Sequence, residues 1–159
     1  MFEMKSQEGT REERYATALS QLKALIDGEP DRIANLSNAS ALLAQYLPDT
    51  NWSGFYLYDG KELVLGPFQG LPACIRIPIG KGVCGTAAKT RETQRIDDVH
   101  AFPGHIACDA ATNSEIVVPL FKEDTLIGVL DIDSPEHARF DETDQEFLER
   151  FAEILVAQL

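Results

Sequence analysis

Apolar side chains recur at three- and four-residue steps through residues 11–27. Tyr15, Leu19, Leu22, Leu25 and Ile26 fall on one face there, which predicts a helix. Asp27-Gly28-Glu29-Pro30 ends it, since Gly and Pro both break helices. A second helix begins at Asp31 and runs to about Leu47. Its apolar stripe is Ile33, Leu36, Ala39, Leu43, Tyr46 and Leu47, and Pro48 stops it.

The period then shortens to two. Trp52 to Tyr58 is aromatic-rich and alternates loosely, Asp59-Gly60 is a hairpin signal, and Lys61 to Leu65 is the return strand. Cys74 to Ile79 alternates, with Arg76 facing out and Ile75, Ile77 and Ile79 on the opposite face. Gly80-Lys81-Gly82 turns into a short helix over Val83–Lys89, and Gln94–Val99 is a further strand. His100–Asn113 shows no period and is expected to be a long loop. Ser114–Phe121 and Thr125–Asp133 form a hairpin through Lys122-Glu123-Asp124. Asp141–Leu159 is a closing helix capped by Asp141, with Asp144 three positions on. Phe147, Leu148, Phe151, Ile154 and Leu155 make its buried stripe.

Hairpins dominate and strand–helix–strand alternation is absent. The expected class is therefore α+β, with an antiparallel sheet of about six strands flanked by helices. A chain of 159 residues suits one domain, over 11–159, behind an N-terminal tail at 1–10. The apolar fraction of 44% is ordinary for a folded soluble protein. No apolar run reaches the roughly 20 residues of a spanning helix. Residues 1–8 lack the apolar core of a secretory signal, so the expected location is cytoplasmic. A net charge of −12, spread along the chain, argues against nucleic acid or an anionic membrane as partner.

The candidate chemistry lies between Cys74 and Asp133. Three cysteines, Cys74, Cys84 and Cys108, cannot form a complete disulfide framework, and their spacings fit no zinc-finger pattern. A redox or nucleophilic role is one possibility, and small buried apolar side chains are the other. Cys108 lies in the long loop with His100 and His105, either of which could tune the thiol, with solvated loop histidines the plainer reading. Cys84 follows the Gly80-Lys81-Gly82 turn at a helix start, where the helix dipole favours thiolate. Glu115 precedes the apolar run Ile116-Val117-Val118. Asp131 and Asp133 close the run Leu126–Leu130, and their spacing of two puts them on one side of a strand. Two such acids repel each other unless a cation lies between them. The plain alternative is an exposed strand end before Pro135. Trp52 and Tyr56 are four apart and share a strand face, as pocket walls or as core.

Seven segments carry a resemblance to a known family. They are Asn51–Tyr56, Leu65–Gly70, Ala73–Ile77, Gly80–Ala87, Asp97–Asp109, Asn113–Pro119 and Gly128–Ser134. Together they resemble the GAF-domain family of free methionine-(R)-sulfoxide reductases, over nearly all of the chain past about residue 10.

That resemblance implies a GAF-like catalytic domain. It makes Cys108 the catalytic thiol, Cys74 the partner that closes a disulfide with it, and Cys84 a third thiol able to resolve in its place. It makes Glu115, Asp131 and Asp133 the carboxylates that hold free methionine sulfoxide and assist its oxygen, with Glu115 also among the catalytic groups. Trp52 and Tyr56 become pocket aromatics. No bound cofactor or metal is implied. Thioredoxin is the implied reductant, and a homodimer the implied assembly. Two rival expectations remain: a non-catalytic GAF sensor module that binds a small ligand, and a protein that holds a metal on cysteines with Asp131 and Asp133.

Overall fold

A computed structural model describes residues 2–3 and 8–159. Of the tail expected over 1–10, residues 1 and 4–7 lie outside the described residues. Thr10 already caps the first helix: its hydroxyl accepts from the Glu13 amide while the Glu13 carboxylate accepts from the Thr10 amide.

The order is α1 (Arg11–Ile26), α2 (Arg32–Tyr46), β1 (Trp52–Tyr58), β2 (Glu62–Gly70), β3 (Arg76–Pro78), α3 (Gly82–Thr90), β4 (Gln94–Ile96), β5 (Ser114–Lys122), β6 (Thr125–Ser134) and α4 (Glu142–Val156). The six strands form one antiparallel sheet in the order β3-β2-β1-β6-β5-β4. The expected α+β class and strand count are therefore what the chain adopts. Hairpins build the two halves, and pairing of β1 with β6 joins them at the centre.

Strand parity sorts the two faces. Phe55, Ile116, Val118, Leu120, Leu130 and Ile132 point toward α1, α2 and α4 and make the larger core with Leu22, Leu43 and Phe151. Trp52, Tyr56, Val117 and Val129 point the other way. They pack with Val83, Cys84 and Ala87 of α3 in a smaller core. Asp141 caps α4 in a reciprocal box with Asp144, as the sequence predicts. Among the described residues, no helix is long and apolar enough to cross a membrane.

Several expected boundaries move, each for a local reason. Ile33 does not belong to the buried stripe of α2 but is 57% exposed, because it lies in the first turn, beyond the edge of the core. The return strand starts at Glu62, since Asp59 Oδ1 accepts from the amides of Lys61 and Glu62 and makes a longer turn. It also runs on to Gly70, because a register shift opposite Gly54–Tyr56 absorbs Pro67. The strand expected over Cys74–Ile79 shrinks to Arg76–Pro78. Cys74 is linked to Cys108 and lies outside the ladder, while Ile75 keeps one hydrogen bond to β2, from the Leu65 amide, with its side chain 68% exposed. The strand expected to reach Val99 stops at Ile96, since Asp98 caps a 3-10 turn over Val99–Ala101.

Candidate functional site

Register places the carboxylates. Glu115 of β5 pairs with Asp133 of β6, which also pairs with Trp52 of β1, and Asp131 pairs with Gly54. The three carboxylates point to the face opposite the three long helices. Gly54 fits there because a Cβ would fall 2.7 Å from Phe68 Cα, too close for any side chain. Trp52 stacks on Tyr56 and on Phe68, at ring-centroid distances of 5.8 and 5.1 Å.

A pocket of about 540 Å³, counting its open mouth, lies over this face. Every candidate residue lines it except Cys74: Trp52, Tyr56, Cys84, Cys108, Glu115, Asp131 and Asp133. Cys74 stands at the mouth between lining residues Ala73 and Ile77, joined by a disulfide to Cys108 across Cα atoms 5.5 Å apart. The two aromatics hold its segment. Trp52 Nε1 donates to the Leu71 carbonyl at 3.2 Å, and the Tyr56 hydroxyl donates to the Cys74 carbonyl at 3.0 Å.

The electrostatics are unusual for a protein interior. Burial, followed by mutual repulsion among Glu115, Asp131 and Asp133, pushes the Asp131 and Asp133 carboxyls well above the usual range. Burial and then the Asp131 charge raise the Tyr56 hydroxyl. Oδ1 of Asp131 and Oδ1 of Asp133 are enclosed and receive no hydrogen bond. Such orphaned acceptors are costly unless a donor from a ligand satisfies them.

Cys84 departs from its expectation. Its helix-start position favours a thiolate, but burial and then the charges of Asp131, Glu115 and Asp133 push the thiol well up. Its Sγ faces Glu115 Oε2 at 3.9 Å as a weak donor. Cys84, Glu115 and Asp131 bring potential ligand atoms within 4.8 Å of one another, as do Asp98, His100 and His137 on the surface; either set could hold a metal ion.

Sequence reasoning misses two participants and underrates a third. His105, which by its place in the Cys108 loop could tune the thiol but reads more simply as solvated, lines the pocket with its Nδ1 buried and unpaired. Ile106 also lines it, above Gly82. Gly82 has φ of 63°, and a Cβ there would fall 3.1 Å from Ile106 Cγ1. Asn51 moors the Cys108 segment: its Nδ2 donates to Asp109 Oδ2 at 2.9 Å and to Thr112 Oγ1 at 3.1 Å, and its amide donates to the Asp133 carbonyl. In the sequence Asn51 stands out only as the first residue of the Asn51–Tyr56 segment, with nothing to show what its side chain bonds.

The GAF domain family matches residues 21–159. Free methionine-R-sulfoxide reductase of Escherichia coli is 55% identical over 147 residues, spanning 92% of this chain and 87% of that protein. The chain belongs to this reductase family. Two solved structures agree with the assignment. The fRMsr of Staphylococcus aureus in complex with substrate is 57% identical and superposes with a TM-score of 0.87, covering 91% of this chain and 95% of that one. The free methionine-R-sulfoxide reductase from Neisseria meningitidis in complex with its substrate is 44% identical with a TM-score of 0.95, covering 99% and 95%. The GAF-like domain expected from the resemblance is thus the fold this family member has.

Proposed function

We propose that the chain reduces free L-methionine-(R)-sulfoxide to methionine by thiol chemistry. One observation carries this reading. A part-exposed disulfide, Cys74–Cys108, closes over a small pocket whose floor is three carboxylates, two of them with unsatisfied buried oxygens.

In the reduced chain the Cys108 thiolate attacks the sulfoxide sulfur. A protonated carboxyl of the Glu115–Asp131–Asp133 group delivers a proton to the oxygen, which passes to Cys108 as sulfenic acid while methionine leaves. Burial and crowding raise the Asp131 and Asp133 carboxyls well above the usual range, which favours a group able to give up a proton. The ionised member of the set binds the α-ammonium. Trp52 and Tyr56 flank the thioether carbon chain. The Cys74 thiol, or Cys84 in its place, then condenses with the sulfenic acid, and water leaves as the disulfide forms. Thioredoxin returns two electrons and two protons to the pair. A carboxylate waiting for an ammonium rejects a peptide amide, which confines the activity to the free amino acid. The enzyme works without a bound cofactor, as a homodimer in the cytoplasm.

The deciding assay supplies the R and S forms of free methionine sulfoxide separately with dithiothreitol. Stoichiometric methionine from the R form alone is the expected result. A non-catalytic sensor would bind a ligand but give neither methionine nor a new disulfide.

A further inference from the structure

Four large apolar side chains are well exposed among the described residues: Phe2, Ile33, Leu71 and Ile75. Scattered exposed aliphatics are ordinary. Leu71 and Ile75 are not scattered: they are 65% and 68% exposed in one segment and flank Cys74. Hydrogen bonds to three carbonyls fix that segment, from Trp52 Nε1 to Leu71, from the Tyr56 hydroxyl to Cys74 and from the Leu65 amide to Ile75. Both aliphatics are therefore held outward around a part-exposed disulfide.

We propose that Leu71 and Ile75 form the rim on which a protein dithiol docks, and that its thiolate attacks Sγ of Cys74 and not Sγ of Cys108. The proposal rests on the Cys74–Cys108 disulfide being the product of turnover. The rim lies in the same short segment as Cys74, while Cys108 is followed by Asp109 and faces a pocket floored by Glu115, Asp131 and Asp133, which disfavours an approaching anion. The incoming thiolate forms a bond to Cys74 Sγ. The Cys74–Cys108 bond breaks, and its electron pair leaves on Cys108 Sγ. The partner's second thiolate then attacks its own sulfur in the mixed disulfide. Cys74 leaves as thiolate, takes up a proton, and the partner departs as a disulfide. Cys108 takes up a proton and is left in the pocket as the free thiol the next turnover needs.

Ile75 is the residue to change, since it does not line the pocket. Turnover of free methionine-(R)-sulfoxide is measured with thioredoxin, its reductase and NADPH, and separately with dithiothreitol. Ile75→Glu is expected to raise the KM for thioredoxin about tenfold or more, the effect of losing one buried aliphatic contact. It should leave dithiothreitol-supported turnover within twofold of wild type. Ile33→Glu, also exposed but on α2, should change neither. A thioredoxin variant lacking its second cysteine should be trapped on Cys74 in peptide mapping.

Unchanged thioredoxin kinetics in Ile75→Glu, or an adduct on Cys108, overturns the proposal. So does a switch from dimer to monomer in Ile75→Glu, which would give the rim to a second copy of the chain. Failure of the wild type with dithiothreitol would instead bring down the underlying reaction. Failure with thioredoxin alone would overturn the docking rim and leave that reaction standing.

Discussion

Glu115 on β5 stands directly across the ladder from Asp133 on β6, and both line one pocket. Like charges opposed on neighbouring strands destabilise a sheet. The pocket floor is therefore under electrostatic tension that a cationic group relieves.

That tension sets the sign of a pH effect on stability. Asp131 and Asp133 have folded-state values raised above the unfolded value of about 3.9. Across the window from there up to the raised values, the native state binds more protons than the unfolded chain. Stability of the ligand-free protein should fall as pH rises through that window. Asp131→Asn should flatten the fall, and saturating substrate should oppose it. Thermal melts from about pH 4 to about pH 9 check both; a melting temperature that climbs with pH over this range would contradict the raised carboxyls.

The cysteines should separate chemically. Cys108→Ser is expected to lose about 10³-fold or more in turnover, the scale of removing a nucleophile. Cys74→Ser should still release about one methionine per chain in a single turnover and then recycle poorly, with Cys84 as the remaining resolving thiol. Rapid-quench measurement of methionine against time distinguishes the two. Full multiple turnover by Cys74→Ser with thioredoxin would remove Cys74 from the cycle.

Neutralising the floor should weaken substrate capture. Asp133→Asn keeps the shape but removes one charge facing the ammonium, and KM is expected to rise about 30-fold or more. Asp131→Asn should show a comparable loss. Steady-state kinetics on both variants give the answer; wild-type constants in both would return these residues to an ordinary strand end.

Gly82 is predicted to matter through its backbone. At φ of 63°, and with Ile106 against it, Gly82→Ala should cost about 1–2 kcal/mol. That corresponds to a fall in melting temperature of roughly 2–8 °C for a chain of this size. Displacement of Ile106 should also lower kcat, because Ile106 and Cys108 share one segment.

Period-two spacing is enough to locate the floor: Asp131 and Asp133 have to share a face, and the alternation through Ile132 puts that face away from the large core. Helical stripes and the Asp141–Asp144 cap are equally legible, being local. What stays hidden depends on contacts distant in sequence. Nothing near Ile75 reveals that its side chain faces solvent while its neighbour Cys74 is bonded to Cys108. Nothing near Cys84 reveals the carboxylates that suppress its thiolate, because they arrive from β5 and β6. His105 reads as a solvated histidine until Gly82 and Asn51 are seen to fix its segment. The match of Cys74 with Cys108 comes from family resemblance, since three cysteines leave their pairing open.

The central junction of β1 with β6 joins segments more than seventy residues apart along the chain. Synthesis from the N-terminus completes Cys74, Cys84 and Cys108 before Glu115, Asp131 and Asp133 are added. Until β6 docks, Cys84 lacks the Asp131 and Asp133 charges that push its thiol up in the folded chain. Completion of the site is thus tied to the most non-local pairing of the sheet.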